Sequence, residues 1–105
     1  QDAFLKATGG MKLDEPAIDL AIAVAIASSY KELEVSPTDC FVGEIGLTGE
    51  VRRVNQIEDR IKEAEKIGFK RIFVPKSNQK RAEQVANQIE VIGVKSIAEC
   101  LKLLF

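Results

Sequence analysis

A chain of 105 residues with 46% apolar and 30% charged residues is the size of one globular domain, able to bury a core without metal or disulfide staples. Two cysteines and no histidine speak against a zinc site and exclude a Ser–His–Asp or Cys–His centre within the chain. Net charge is −1, yet residues 1–51 hold 3 Lys/Arg against 9 Asp/Glu, whereas residues 52–81 hold 10 against 4, so the basic middle segment is a candidate phosphate-facing surface.

The pattern at Asp2–Thr8 predicts a strand and Gly9-Gly10 a turn or bulge. Met11 is the only methionine and the chain opens at Gln1 inside that strand pattern, so a single domain over 1–105, cut from a longer polypeptide, is expected. Asp14 is placed to cap the next helix, Glu15 to complement its dipole and Pro16 to occupy its first turn. From Ala17 to Ala27 only Asp19 is not apolar, which predicts a core helix packed on more than one face. The longest uncharged run, Leu20–Tyr30, is too short for the roughly 20 apolar residues of a membrane span, and no signal-peptide pattern is found.

Glu34–Asp39, with Ser36-Pro37, predicts a loop, and Cys40–Ile45 a strand. Gly46-Leu47-Thr48-Gly49 then reverses the chain into a returning strand, Glu50–Val54, so a β-hairpin is expected. Asn55 is placed to cap a second helix with Ile57, Ile61, Ala64 and Ile67 on one stripe, a Glu58–Lys62 pair on its surface and Gly68 at its end. Arg71–Pro75 predicts a strand stopped by proline, followed by a polar helix over Asn78–Asn87. Ile89–Val94 predicts another strand, and Ser96 with Glu99 a capping box opening the last helix. Helix and strand alternate through this half, so the fold class is α/β with parallel pairs joined by crossovers. Cys40 and Cys100 read as buried, reduced thiols of a cytoplasmic protein.

No phosphate-loop motif is present, and Gly43, Gly46 and Gly49 fit hairpin geometry better than a nucleotide cradle, so no nucleotide site is assigned. Ser28 and Lys31 have the residue types of a serine–lysine dyad, but their spacing is that of an ordinary polar helix end.

Four linked blocks, Gly9 to Asp19 (GGMKLDEPAID), Gly43 to Val54 (GEIGLTGEVRRV), Arg60–Ala64 with Gly68–Lys70, and Glu90–Val94, resemble the C-terminal Lon-protease-like domain of the bacterial RadA (Sms) family of DNA repair proteins. The same order is similar, more distantly, to the proteolytic domain of Lon. In that family the nucleophilic serine follows Gly-Pro, which falls on Ala17 here, and the partner lysine falls on Glu58. Alanine has no nucleophilic atom and glutamate no basic amine, so the resemblance implies a degenerate protease centre. It also implies a longer protein with an upstream zinc finger and RecA-type ATPase, using zinc, ATP and magnesium, none of them cofactors of this domain. Hexameric rings, DNA contact, recombination partners and ATP-driven branch migration are implied in the same way.

On that reading Arg52, Arg53, Arg60, Lys62, Lys66, Lys70 and Arg71 are candidate DNA contacts, made to phosphates, independent of sequence and sensitive to salt. Arg52 and Arg53 are neighbours on a strand and point to opposite faces, so one of them is free to pair with an acid such as Glu50. Arg60 flanks the apolar stripe while Lys62 and Lys66 face solvent. Phe4, Phe41 and Phe73 sit in strand patterns and are expected in the core rather than on a base-stacking platform. Two other readings stay open: an assembly module without DNA contact, and a divergent Ser/Lys peptidase.

Overall fold

In the computed structural model, which describes residue 11 and residues 14–105, a 3-10 turn at Pro16–Ile18 leads into helix α1 (Asp19–Lys31). Strands β1 (Asp39–Phe41), β2 (Glu44–Ile45) and β3 (Val51–Arg52) precede helix α2 (Ile57–Ile67). Strand β4 (Arg71–Pro75) and a 3-10 turn at Lys76–Asn78 lead to helix α3 (Gln79–Val85), strand β5 (Glu90–Val94) and helix α4 (Ile97–Leu104). The strand pattern at Asp2–Thr8, Phe4 and the turn at Gly9-Gly10 lie outside the described residues.

Strands β1, β4 and β5 form a parallel sheet in the order β1-β4-β5, and β2 pairs antiparallel with β3 in a separate hairpin. The fold is α/β with mixed pairing. Alternation along the strands sends neighbours to opposite faces: Cys40, Val42, Ile72 and Val74 join Ile57, Ile61 and Ala82 in one core layer, under α2 and α3. Phe41 and Phe73 join Leu20, Val24 and Cys100 in the other, under α1 and α4. Phe41 and Phe73 are register partners and their rings stack with centroids 5.0 Å apart. Truncating either to alanine costs about 3–5 kcal/mol.

The single strand expected at Cys40–Ile45 is two strands in two sheets. Val42 still donates to the Phe73 carbonyl at 3.0 Å, but the Gly43 N–H turns to the Ala17 carbonyl at 2.9 Å and the Gly43 carbonyl accepts from Leu20 N–H at 3.0 Å. Only glycine permits this close approach, since a Cβ at position 43 would stand 2.7 Å from Val51 Cγ1.

At the first two helices the expected caps do not form. Asp14 is exposed and caps nothing; the helix is entered through the 3-10 turn, with Ile18 N–H bonded to the Glu15 carbonyl at 3.0 Å. Gln56, not Asn55, stands at the N-cap of α2, in the left-handed region at φ 59° and without a side-chain cap bond. Gly68 (φ 111°) ends that helix as expected, and Ser96 Oγ accepts from Glu99 N–H at 3.0 Å while Glu99 Oε1 accepts from Lys95 N–H at 2.7 Å. Glu58 pairs with Arg81 on α3 at 3.5 Å rather than with Lys62. Helix α1 is buried at Leu20, Ala21 and Val24 and part-buried at Ile22, Ala23 and Ala25, whereas toward its C-terminal end Ile26 is 64% and Tyr30 89% exposed. On α2 the stripe is buried at Ile57, Ile61 and Ala64, while Ile67 is exposed. Cys40 and Cys100 are free, buried thiols in opposite layers, each pushed up to about 12 by burial.

Candidate functional site

The 3-10 turn, the end of β3 and the entry to α2 enclose a cleft of about 300 Å³ whose wall includes Ala17, Glu44, Arg53 and Asn55. Ala17 is 4% exposed and packs in the same core layer as Val54 and Ile57. Glu58 follows Ile57, but its carboxylate reaches away to Arg81. Ala17 offers no nucleophilic atom, and Glu58, engaged by Arg81, offers no amine to activate one. Ser28 is likewise committed, its hydroxyl donating to the Leu33 carbonyl at the exit from α1.

Three polar residues, Asp19, Asn78 and Glu15, hold the elements around the cleft, and a fourth, Glu65, ties a loop elsewhere on α2. Asp19 Oδ2 accepts the Ile45 N–H at 3.1 Å, occupying a donor of the outer hairpin strand. Asn78, buried, accepts from Val54 N–H at 2.8 Å through Oδ1 and donates to the Val54 carbonyl at 3.2 Å through Nδ2. Both backbone groups of Val54 are thereby satisfied where the hairpin ends. Glu15 pairs with Arg60, which also donates to the Asn55 carbonyl at 2.9 Å. Glu65 accepts from the N–H groups of Asn87, Gln88 and Ile89 at 2.6, 2.7 and 3.1 Å, fastening the loop before β5 to α2. The one sequence signal for Asp19 was its isolation in an apolar run; Asn78 and Glu65 look like ordinary helix polar residues in one dimension.

The seven candidate basic residues do not gather at one place. Arg71 is bidentate to Asp39, Nε to Oδ1 at 3.0 Å and Nη2 to Oδ2 at 2.7 Å, with its guanidinium 4.9 Å from the Phe73 ring centroid. Hydrogen bonding to Asp39 raises the Arg71 pKa further. Arg52 pairs with Glu50 at 3.1 Å, so the acid partner expected for one of the two hairpin arginines falls to Arg52. Arg60 is held by Glu15. Arg53, Lys62, Lys66 and Lys70 are exposed and make no ion pair among the described residues. Lys62 and Lys66 share the solvent face of α2, whereas Lys70 lies beyond its end at the mouth of β4. Of these four, Arg53 lines the cleft beside Ala17, while Lys62, Lys66 and Lys70 stand in solvent outside it.

Among the described residues no three His, Cys, Asp or Glu gather in a metal-holding group, and no helix is long and apolar enough to cross a membrane.

Comparison with known proteins gives the geometry its context. A family model described as "Subunit ChlI of Mg-chelatase" matches residues 7–78. The DNA repair protein RadA of Streptococcus pneumoniae is 62% identical over 105 residues, covering 100% of this chain and 25% of that protein. RadA of Listeria monocytogenes and of Bacillus subtilis are each 58% identical over 102 residues, covering 97% of this chain and 22% of theirs. The chain spans about a quarter of the length of the curated relatives it matches. The resemblance read from the four sequence blocks therefore extends over practically the whole chain.

Proposed function

The chain belongs to the family described as subunit ChlI of Mg-chelatase and is similar to bacterial RadA over its whole length, and from that premise we propose that it is a non-catalytic, Lon-protease-like domain of a RadA-type DNA repair and recombination protein. It acts as an oligomerisation and DNA-binding scaffold for an ATP-driven branch-migration motor carried elsewhere in the polypeptide. The observation that carries the non-catalytic part is the pair of positions where the Lon dyad would stand: Ala17 buried in the core, Glu58 turned to Arg81.

Two features support the scaffold part. Arg53, Lys62, Lys66 and Lys70, exposed and without an ion pair among the described residues, supply cations for phosphates. Ile26 and Tyr30, one helical turn apart on α1, give an exposed apolar strip of the kind an assembled ring covers. Zinc, ATP and magnesium belong, on this reading, to the rest of a hexameric, cytoplasmic protein, and other recombination proteins are its further partners. In the full-length polypeptide, alanine at Arg53, Lys62, Lys66 and Lys70 is expected to weaken DNA binding at least tenfold while ring mass is kept. Unchanged DNA affinity would leave a purely structural assembly module.

A further inference from the structure

The cleft beside Ala17 brings together three polar side chains, Glu44, Arg53 and Asn55, that make no side-chain hydrogen bond or ion pair among the described residues. Asn55 gives its backbone carbonyl to Arg60 at 2.9 Å and keeps its carboxamide free. Pro16, Ala17 and Val54 add apolar wall, and the Glu15–Arg60 pair lines the same space of about 300 Å³. Glu15 is neutralised by Arg60, so Glu44 is the carboxylate of this cleft without a cation of its own.

A base lifted out of its stack is held between apolar side chains and read by hydrogen bonds along its edge. Carboxylates accept from the cytosine amine, asparagine bonds the adenine edge, and arginine meets phosphate. We propose that this cleft holds one unpaired base of single-stranded DNA, a cytosine or an adenine. Arg53 meets its phosphate, Glu44 accepts from its exocyclic amine, and Asn55 bonds the same edge. The proposal rests on the DNA-binding reading above and names the form of DNA that this cleft takes. An extended peptide fits less well, because strand addition requires free N–H and C=O groups along an edge. Here Asp19 takes the Ile45 N–H, Ala17 and Leu20 take both groups of Gly43, and Asn78 takes both groups of Val54. Thymine fits less well than cytosine, since its O4 is an acceptor and an ionised Glu44 has no proton to give it.

The test uses the full-length polypeptide with labelled oligo-dC, oligo-dT and a duplex of equal length, read by fluorescence anisotropy. Wild type is expected to bind oligo-dC at least about fivefold tighter than oligo-dT, and E44A to bring the two within about twofold while leaving duplex affinity as it was. E44Q, whose carboxamide can turn a donor toward thymine O4, is expected to narrow the preference as well. R53A should weaken both single strands alike, by about threefold or more. Equal binding of the two oligonucleotides by wild type, or a preference that survives in E44A, overturns the proposal. Casein binding that E44A abolishes assigns the cleft to a peptide and also overturns it. If wild type binds neither single strands nor duplex at low salt, the DNA-binding reading itself fails; duplex binding without base preference among single strands defeats the cleft alone.

Discussion

Glu58 lies 3.5 Å from Arg81, a bridge from α2 to α3 at the position where a Lon-type peptidase would hold its catalytic lysine. The charge there is the reverse of a lysine's and is engaged by Arg81. Restoring the serine alone cannot restore chemistry: A17S is expected to remain unlabelled by a serine-reactive phosphonate and to leave casein intact. Burying a hydroxyl at a site that is 4% exposed should also lower stability by about 1–3 kcal/mol, visible as a lower urea midpoint. Probe labelling of the wild-type chain would support the divergent peptidase instead.

Arg71 and Asp39 predict a stability effect where the sequence suggested a DNA contact. The pair joins β1 to β4 and Asp39 is 4% exposed, so R71A strands a carboxylate in the protein interior. A loss of about 2–4 kcal/mol is expected, below the full range for a buried pair because the Arg71 side chain is 34% exposed. Denaturant unfolding measures it, and DNA affinity per folded molecule should stay the same.

Acid should loosen the hairpin and the loop before β5 together. Hydrogen bonds from Thr48, then Arg52, hold Glu50 down to about 2 from an ordinary 4.5, and the N–H groups of Ile89, Gln88 and Asn87 lower Glu65 as well. A carboxylate with a depressed folded pKa adds stability above its unfolded value and loses that contribution as pH falls through the folded value. Tm should therefore drop between pH 4.5 and about 2 more steeply in wild type than in an E50Q/E65Q variant. Equal slopes would show that neither carboxylate is linked to folding.

Gln56 occupies the left-handed region at φ 59°, a conformation that glycine adopts without strain. Relief of that strain in Q56G outweighs the added freedom of the unfolded chain, for a gain of about 0.5–1 kcal/mol. A lower midpoint in denaturant would mean that side-chain contacts of Gln56 exceed the backbone cost.

The sequence carried most of the architecture because its signals were local. Arg71–Pro75 and the Ser96 cap are read from strand alternation and a three-residue spacing, and both stand where expected. Cys40–Ile45 has the pattern of one strand, but the change of partner at Gly43 depends on Ala17 and Leu20, more than 20 residues away. Asp14 and Asn55 had cap chemistry, but a 3-10 turn and a left-handed Gln56 start those helices instead. The candidate surface was harder still. Charge sign is visible in one dimension, and Glu50 lies close enough to Arg52 to be read as its partner, whereas Asp39 and Glu15, which hold Arg71 and Arg60, become their neighbours only on folding.

The central claim, a scaffold that reads DNA through phosphates, is tested most directly by binding of this chain to a labelled duplex across a salt series. Measurable affinity is expected at low salt, falling by at least about tenfold from 50 to 200 mM, with a shallower slope when Lys62 and Lys66 are replaced by alanine. No binding at low salt, or binding indifferent to salt and to those two lysines, would contradict it.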